Sequence, residues 1–144
     1  MSWLLVRGVM VLLGVTAWSS LSAAQPAPVK QNPLPQSARI VPAWAYQQWL
    51  EGSAVLVDVR EESEIGDGMA APALWIATSS IDADPEAFAK LLSAFTHSRL
   101  IIFYCHSGRR AALAAALARE LGYQSANMGG YADWVDAGLP TRQP

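Results

Sequence analysis

The sequence predicts an α/β fold: a mostly parallel central sheet with helices on both faces. Three observations carry this. Residues 54–60 (AVLVDVR) and 100–104 (LIIFY) are short continuous apolar runs, the first ending in charge. Runs of that kind are strands buried on both faces, as in parallel sheets. Between and after them lie segments with helical spacing of apolar residues, 85–95 and 110–121. Strands that alternate with helices close most simply into a parallel sheet covered on both sides.

In chain order, residues 1–24 read as a secretory signal peptide. Arg7 is the positive n-region, residues 8–18 form an apolar stretch too short to span a bilayer comfortably, and Ser22-Ala23-Ala24 offers small residues for cleavage after Ala24. This predicts an exported protein, periplasmic if the source is a Gram-negative bacterium, with no membrane attachment once the signal is removed. Residues 25–37, with Pro26, Pro28, Pro33 and Pro35, read as a Pro-rich linker that cannot bury enough surface to fold. Residues 38–144 are left as one domain, with ample apolar material for a core, since 52% of the chain is hydrophobic.

Within that domain, residues 38–41 form a short strand candidate. Pro42 opens a helix with Trp44, Trp49 and Leu50 as its apolar stripe, the two tryptophans reading as core, and Gly52 stops it. The strand at 54–60 follows. Glu61, Glu62, Glu64 and Asp67 then read as a solvated acidic loop, able to fold back toward other elements. No His or Cys accompanies these acids in sequence, so they do not read as a metal site. Residues 66–73, with Gly66, Gly68 and Pro72, form a loop, and 74–77 a short strand. Asp84-Pro85-Glu86 is a helix start with an N-cap, a proline at the first position and an acid in the first turn. Phe88, Leu91, Leu92 and Phe95 recur at helical spacing, and His97 reads as a charge partner at that helix's C-terminus. After the 100–104 strand, Leu113, Leu117 and Leu121 fall on one helical face, with alanines that allow close approach to the sheet, and Gly122 as the cap. A strand at 124–128, a turn at Gly129-Gly130, a short helix at 131–137 carrying Trp134, and an end at Gly138-Leu139-Pro140 complete the domain.

The chemistry concentrates at Cys105, the only cysteine, placed where the 100–104 strand turns into the next helix. A thiol there meets the backbone N–H groups of the turn and the positive end of the helix, which favour the thiolate. Gly108 permits unusual backbone angles, and Arg109 and Arg110 add positive charge. Two arginines are poor neighbours for an inert core cysteine, so the residue reads as reactive. A single cysteine forms no internal disulfide, and a lone thiol in an exported chain is worth marking as reactive. The formal net charge is −2, and becomes −3 when Arg7 leaves with residues 1–24. That excludes a generally basic nucleic-acid binder. The arginines are a local patch suited to a small anion. Asp58 and Arg60, at the carboxyl end of the first strand, are placed to reach the Cys105 loop.

Three separated motifs make the chain recognisable: Val57-Asp58-Val59-Arg60-Glu61; Cys105-x-x-Gly108-x-Arg110; and Gly129-Gly130-x-x-x-Trp134-x-x-x-Gly138-Leu139-Pro140. With them the chain, over roughly residues 39–142, resembles the rhodanese-like family in its single-domain form. The resemblance implies a sulfurtransferase in which Cys105 carries sulfane sulfur as a persulfide. It implies that the loop of His106, Ser107, Gly108, Arg109 and Arg110 wraps the persulfide and binds the donor, that Arg110 is the family's loop arginine, and that Asp58 and Arg60 support the loop. The implied donor is a small sulfur-bearing anion such as thiosulfate, or a persulfide. The implied acceptor is a thiol, cyanide or a protein, and no metal or organic cofactor is required. One departure stands out: in Gly68-Met69-Ala70-Ala71-Pro72-Ala73, Met69 occupies the place of the family's usual histidine, a residue thought of as support for the fold.

Two other readings compete. A cysteine phosphatase or arsenate reductase holds Cys and Arg with five residues between, whereas here the sixth position after Cys105 is Ala111. A loop with its arginines that early is too tight for a tetrahedral oxyanion. A non-catalytic or redox sulfur-binding module on the same fold is the other alternative.

Overall fold

A computed structural model describes residues 39–144. The expected signal peptide and linker lie outside the described residues. Helix α1 (Pro42–Leu50) starts on its proline, whose missing N–H would be unpaired there in any case. Strand β1 (Ala54–Asp58) is buried along its whole length. A one-turn helix, α2 (Glu62–Ile65), and two short strands, β2 (Met69–Ala70) and β3 (Leu74–Trp75), follow. Helices α3 (Thr78–Ala83) and α4 (Pro85–Leu92) meet at Asp84, whose Oδ1 accepts the Ala87 N–H at 2.9 Å, the cap expected from Asp84-Pro85-Glu86. Strand β4 (Leu100–Cys105), helix α5 (Arg109–Glu120), strand β5 (Ser125–Gly130), helix α6 (Tyr131–Asp136) and strand β6 (Thr141–Arg142) complete the chain.

The main sheet has the order β3-β1-β4-β5 and is parallel throughout, while β2 and β6 form a separate antiparallel pair. The expected α/β architecture is therefore present, with a small antiparallel pair beside the parallel sheet. Strand alternation divides the core in two. Val55, Val57, Ile101, Phe103 and Cys105 face Phe88 and Leu92 of α4 and the alanines of α5. Ala54, Leu56, Ile102 and Tyr104 face Ala45 of α1 and Trp134 of α6. The two central strands end side by side, with Asp58 opposite Tyr104 and Cys105 opposite Gly130.

Several local expectations are corrected. Helix α1 turns Ala45 inward, and Trp44, Trp49 and Leu50 lie 37%, 36% and 56% exposed. Close approach to the sheet selects the small residue, so the large ones ride outside. Helix α5 repeats this: Ala111, Ala114, Ala115 and Ala118 are buried, Leu117 is partly buried, and Leu113 and Leu121 are exposed. On α4, Leu91 also faces out. Of the strand expected at 38–41, the described residues 39–41 contribute one parallel bridge, Arg39 to Asn127. His97 stacks its ring on Tyr123, 4.4 Å between centroids, a contact not expected from the sequence. Gly129 and Gly130 are the end of β5, not a turn. Beyond Pro140, β6 continues and pairs with β2, inside the segment expected to be loop.

Candidate active site

Cys105 is the last residue of β4 and is fully buried. The chain turns over its sulfur because Gly108 takes φ +92°, the left-handed region open to glycine, and α5 starts immediately after. The Gly108 N–H donates to Cys105 Sγ at 3.0 Å. Burial pushes the thiol up, but the backbone N–H groups of Ala111, Ser107, Gly108 and Arg110 act against burial and leave it below its ordinary value. This is the thiolate-favouring turn expected from the sequence. His106, Ser107 and Arg109 are exposed around it.

Arg110 is differently placed. Its Nη1 and Nη2 donate to Glu64 Oε2 and Oε1 at 2.6 and 2.7 Å, a fork-to-fork pair from α5 to α2. The Arg110 contact, with lesser help from other groups, holds the Glu64 carboxyl at about 2, and Glu64 in turn pushes the Arg110 guanidinium up. Arg110 thus clamps the start of α5 to Glu64, and the nearby Cys105 adds to what raises its guanidinium. Arg109 makes no ion pair among the described residues.

Asp58 and Arg60 form a buried pair on the opposite face of the sheet from Cys105. Arg60 Nη2 donates to Asp58 Oδ2 at 2.7 Å and Nε to both Asp58 oxygens. Its other donors go to the Glu64 carbonyl at 2.9 Å and the Gly68 carbonyl at 2.7 Å, and its guanidinium lies 4.1 Å from the centre of the Tyr131 ring. The expected reach to the Cys105 loop is therefore indirect: strand alternation puts Asp58 on the other face, and the pair braces residues 61–68, which carry Glu64 to Arg110. The Tyr104 hydroxyl, deprotonation of which burial and Asp58 strongly oppose, accepts the Ala70 N–H at 3.0 Å. Met69 is buried among the apolar side chains of this face, which suits a thioether in place of a polar ring.

The rhodanese-like domain model matches residues 41–137. This chain belongs to the rhodanese-like family. It is 35% identical over 94 residues to the Homo sapiens thiosulfate:glutathione sulfurtransferase, covering 59% of this chain and 82% of that protein. Family and relative together support a sulfurtransferase. Among solved structures, a rhodanese-related protein from Thermoplasma volcanium superposes with a TM-score of 0.60 at 23% identity, over 74% of this chain and 98% of that one. A Rhodopseudomonas palustris protein, described as of unknown function and a possible tyrosine phosphatase, gives 0.59 at 29% identity, over 72% and 83%.

In this rhodanese-like domain the floor under the cysteine loop is β5. Tyr104 pairs with Gly129 and Cys105 with Gly130, after a register shift opposite Phe103 and Tyr104. A Cβ on Gly130 would stand 2.5 Å from the His106 carbonyl oxygen, so the loop rests on bare backbone. Asn127 Nδ2 donates to the Gly108 carbonyl at 3.0 Å. Arg39 Nη2 donates to the Ser107 carbonyl at 3.2 Å and to Asp133 Oδ2 at 2.9 Å. Sequence reasoning singled out none of Glu64, Asn127, Arg39 or Asp133 as a site residue. The one local signal was the Glu61-to-Glu64 spacing of a capping box, which forms and fixes Glu64 at its position in α2.

Proposed function

We propose that this chain is a sulfurtransferase that carries sulfane sulfur as a persulfide on Cys105. The observation that carries the reading is the buried Cys105 Sγ, 3.0 Å from the Gly108 N–H and beneath the other N–H groups of the α5 start. The Cys105 thiolate attacks the outer sulfur of thiosulfate. A Cys105 S–S bond forms, the sulfur–sulfur bond of the donor breaks, and sulfite leaves with the electron pair. The persulfide anion is stabilised by the same fixed N–H dipoles. A thiolate or cyanide then attacks the outer sulfur, takes it, and returns the Cys105 thiolate. Each step is a displacement at sulfur and uses neither a metal nor an organic cofactor. Similarity to the human relative supports thiosulfate as donor and a glutathione-type thiol as acceptor. Arg109 and His106, exposed at the loop, receive the donor's charge, while Arg110 keeps α5 in place. In this reading the mature protein is exported and begins near Gln25, and the intact mass of exported protein checks the start.

The phosphatase reading draws support from the R. palustris neighbour. Against it stand the four-residue spacing from Cys105 to Arg110 and the occupation of Arg110 by Glu64. Incubation with thiosulfate followed by removal of donor separates the two. The expected result is a protein heavier by one sulfur atom, the gain located on Cys105, discharged by cyanide and absent in Cys105→Ser. Hydrolysis of aryl phosphates that is lost in Cys105→Ser, with no sulfur adduct, would overturn the proposal.

A further inference from the structure

The N–H groups around Cys105 Sγ can point inward only if the carbonyls of the same peptide planes point outward. In a trans peptide the two groups lie on opposite sides. The Ser107 carbonyl and the Gly108 N–H share one plane. On its inner side Gly108 N–H donates to Sγ at 3.0 Å, and on its outer side Ser107 O accepts from Arg39 Nη2 at 3.2 Å. Arg39 is itself fixed. The same Nη2 donates to Asp133 Oδ2 at 2.9 Å, an oxygen that also accepts the Gly130 N–H at 2.8 Å. The guanidinium lies flat on Gly129, where an added Cβ would overlap Nε, Nη2 and Cζ, and Gly129 has φ +108°. Glycine at 129 is therefore what makes room for Arg39. Arg39 also stands outside residues 41–137, the extent of the family match.

We propose that Arg39 is a positioning residue for the sulfur site: held by Asp133, it draws the Ser107 carbonyl outward and so turns the Gly108 N–H onto Cys105 Sγ. The inference deepens the sulfurtransferase reading, and its consequence for turnover rests on that reading. The orientation of the thiol's donor does not.

Carboxamidomethylation of the full chain by iodoacetamide, followed against pH with no sulfur donor present, tests it. The charged and titratable groups that face Cys105 from its surroundings are Arg110 on α5, Glu64 on α2 behind it, and His106 and Arg109 on the loop. None is altered in the variants. Arg39→Gln raises the inflection by about one pH unit, roughly a tenfold loss of thiolate below it. Arg39→Lys keeps the inflection near wild type, because a single nitrogen makes both contacts. Lys90→Gln, which removes a distant exposed charge on α4, leaves it unmoved. The Arg39→Gln shift persists in 0.5 M salt, where a simple charge effect is screened. An unmoved inflection in folded Arg39→Gln, or a shift that salt abolishes, overturns the proposal. If Arg39→Gln does not fold by circular dichroism, Asp133→Asn decides: a smaller rise in the same direction supports the proposal, and no rise overturns it. A wild-type protein that takes up no sulfur yet shows the Arg39-dependent inflection would overturn the sulfurtransferase reading alone.

Discussion

Replacing Glu64 with glutamine isolates the contribution of the α2–α5 clamp. The carboxylate accepts from both Arg110 nitrogens at 2.6 and 2.7 Å, and the pair is about a quarter exposed, at 27% and 28%. The Glu64 carboxyl lies at about 2 against an ordinary 4.5. At 1.36 kcal/mol per pH unit that difference caps the effect at about 3 kcal/mol. Partial exposure screens the pair, so about 1–2 kcal/mol is the working value. For a domain of this size the loss lowers Tm by about 5–10 °C at pH 7. The sign with pH follows from linkage. A depressed carboxyl stabilises the fold fully above its unfolded value of 4.5, and loses that contribution as pH falls toward 2. Thermal unfolding by circular dichroism should show Glu64→Gln well below wild type at pH 7, with the gap narrowing steadily under pH 4.5. A gap below about 1 °C at pH 7 would refute the clamp, and a gap of constant size down to the acid limit would refute its electrostatic origin.

Asp58→Asn leaves Arg60, with only 4% of its side chain exposed, without its buried counter-charge. A loss of about 3–5 kcal/mol is predicted, read from the urea midpoint at unchanged m-value. Arg109→Ala removes an exposed cation from the donor's approach, and should raise KM for thiosulfate about fivefold with little change in kcat, on the scale of about 1 kcal/mol for an exposed charge contact. A fall confined to kcat would show that Arg109 acts on the bound sulfur instead.

The elements that sequence made legible are those whose cause is local. The runs at 54–60 and 100–104 are strands because nothing but a doubly covered parallel sheet hides so many adjacent apolar residues. Cys105 stood out because the strand, the glycine and the helix that build its turn are contiguous. What stayed hidden depends on distance along the chain or on residue size. Glu64 meets Arg110 across 46 positions, and Arg39 meets Asp133 across 94. No periodicity marks such pairs, since each partner looks like an ordinary surface charge. Helices α1 and α5 misled in a different way. Apolar stripes pointed to Trp44, Trp49, Leu113 and Leu121, yet close packing against the sheet selected Ala45, Ala111, Ala114, Ala115 and Ala118. The glycines at 129 and 130 read as a turn because glycine is common there. Their use as a bare floor for the loop becomes visible only when the loop is seen lying on them.

The pairing of β2 with β6 reaches as far as the clamp behind the cysteine loop. Met69 pairs with Arg142 and Ala70 with Thr141, and Arg142 also donates to the Ala71 and Ala73 carbonyls at 3.1 Å each. Among the described residues β6 is the only partner strand of β2. The segment that presents Glu64 to Arg110 runs directly into β2. Two strands of two residues each therefore tie the far end of the domain to the backbone behind the clamp.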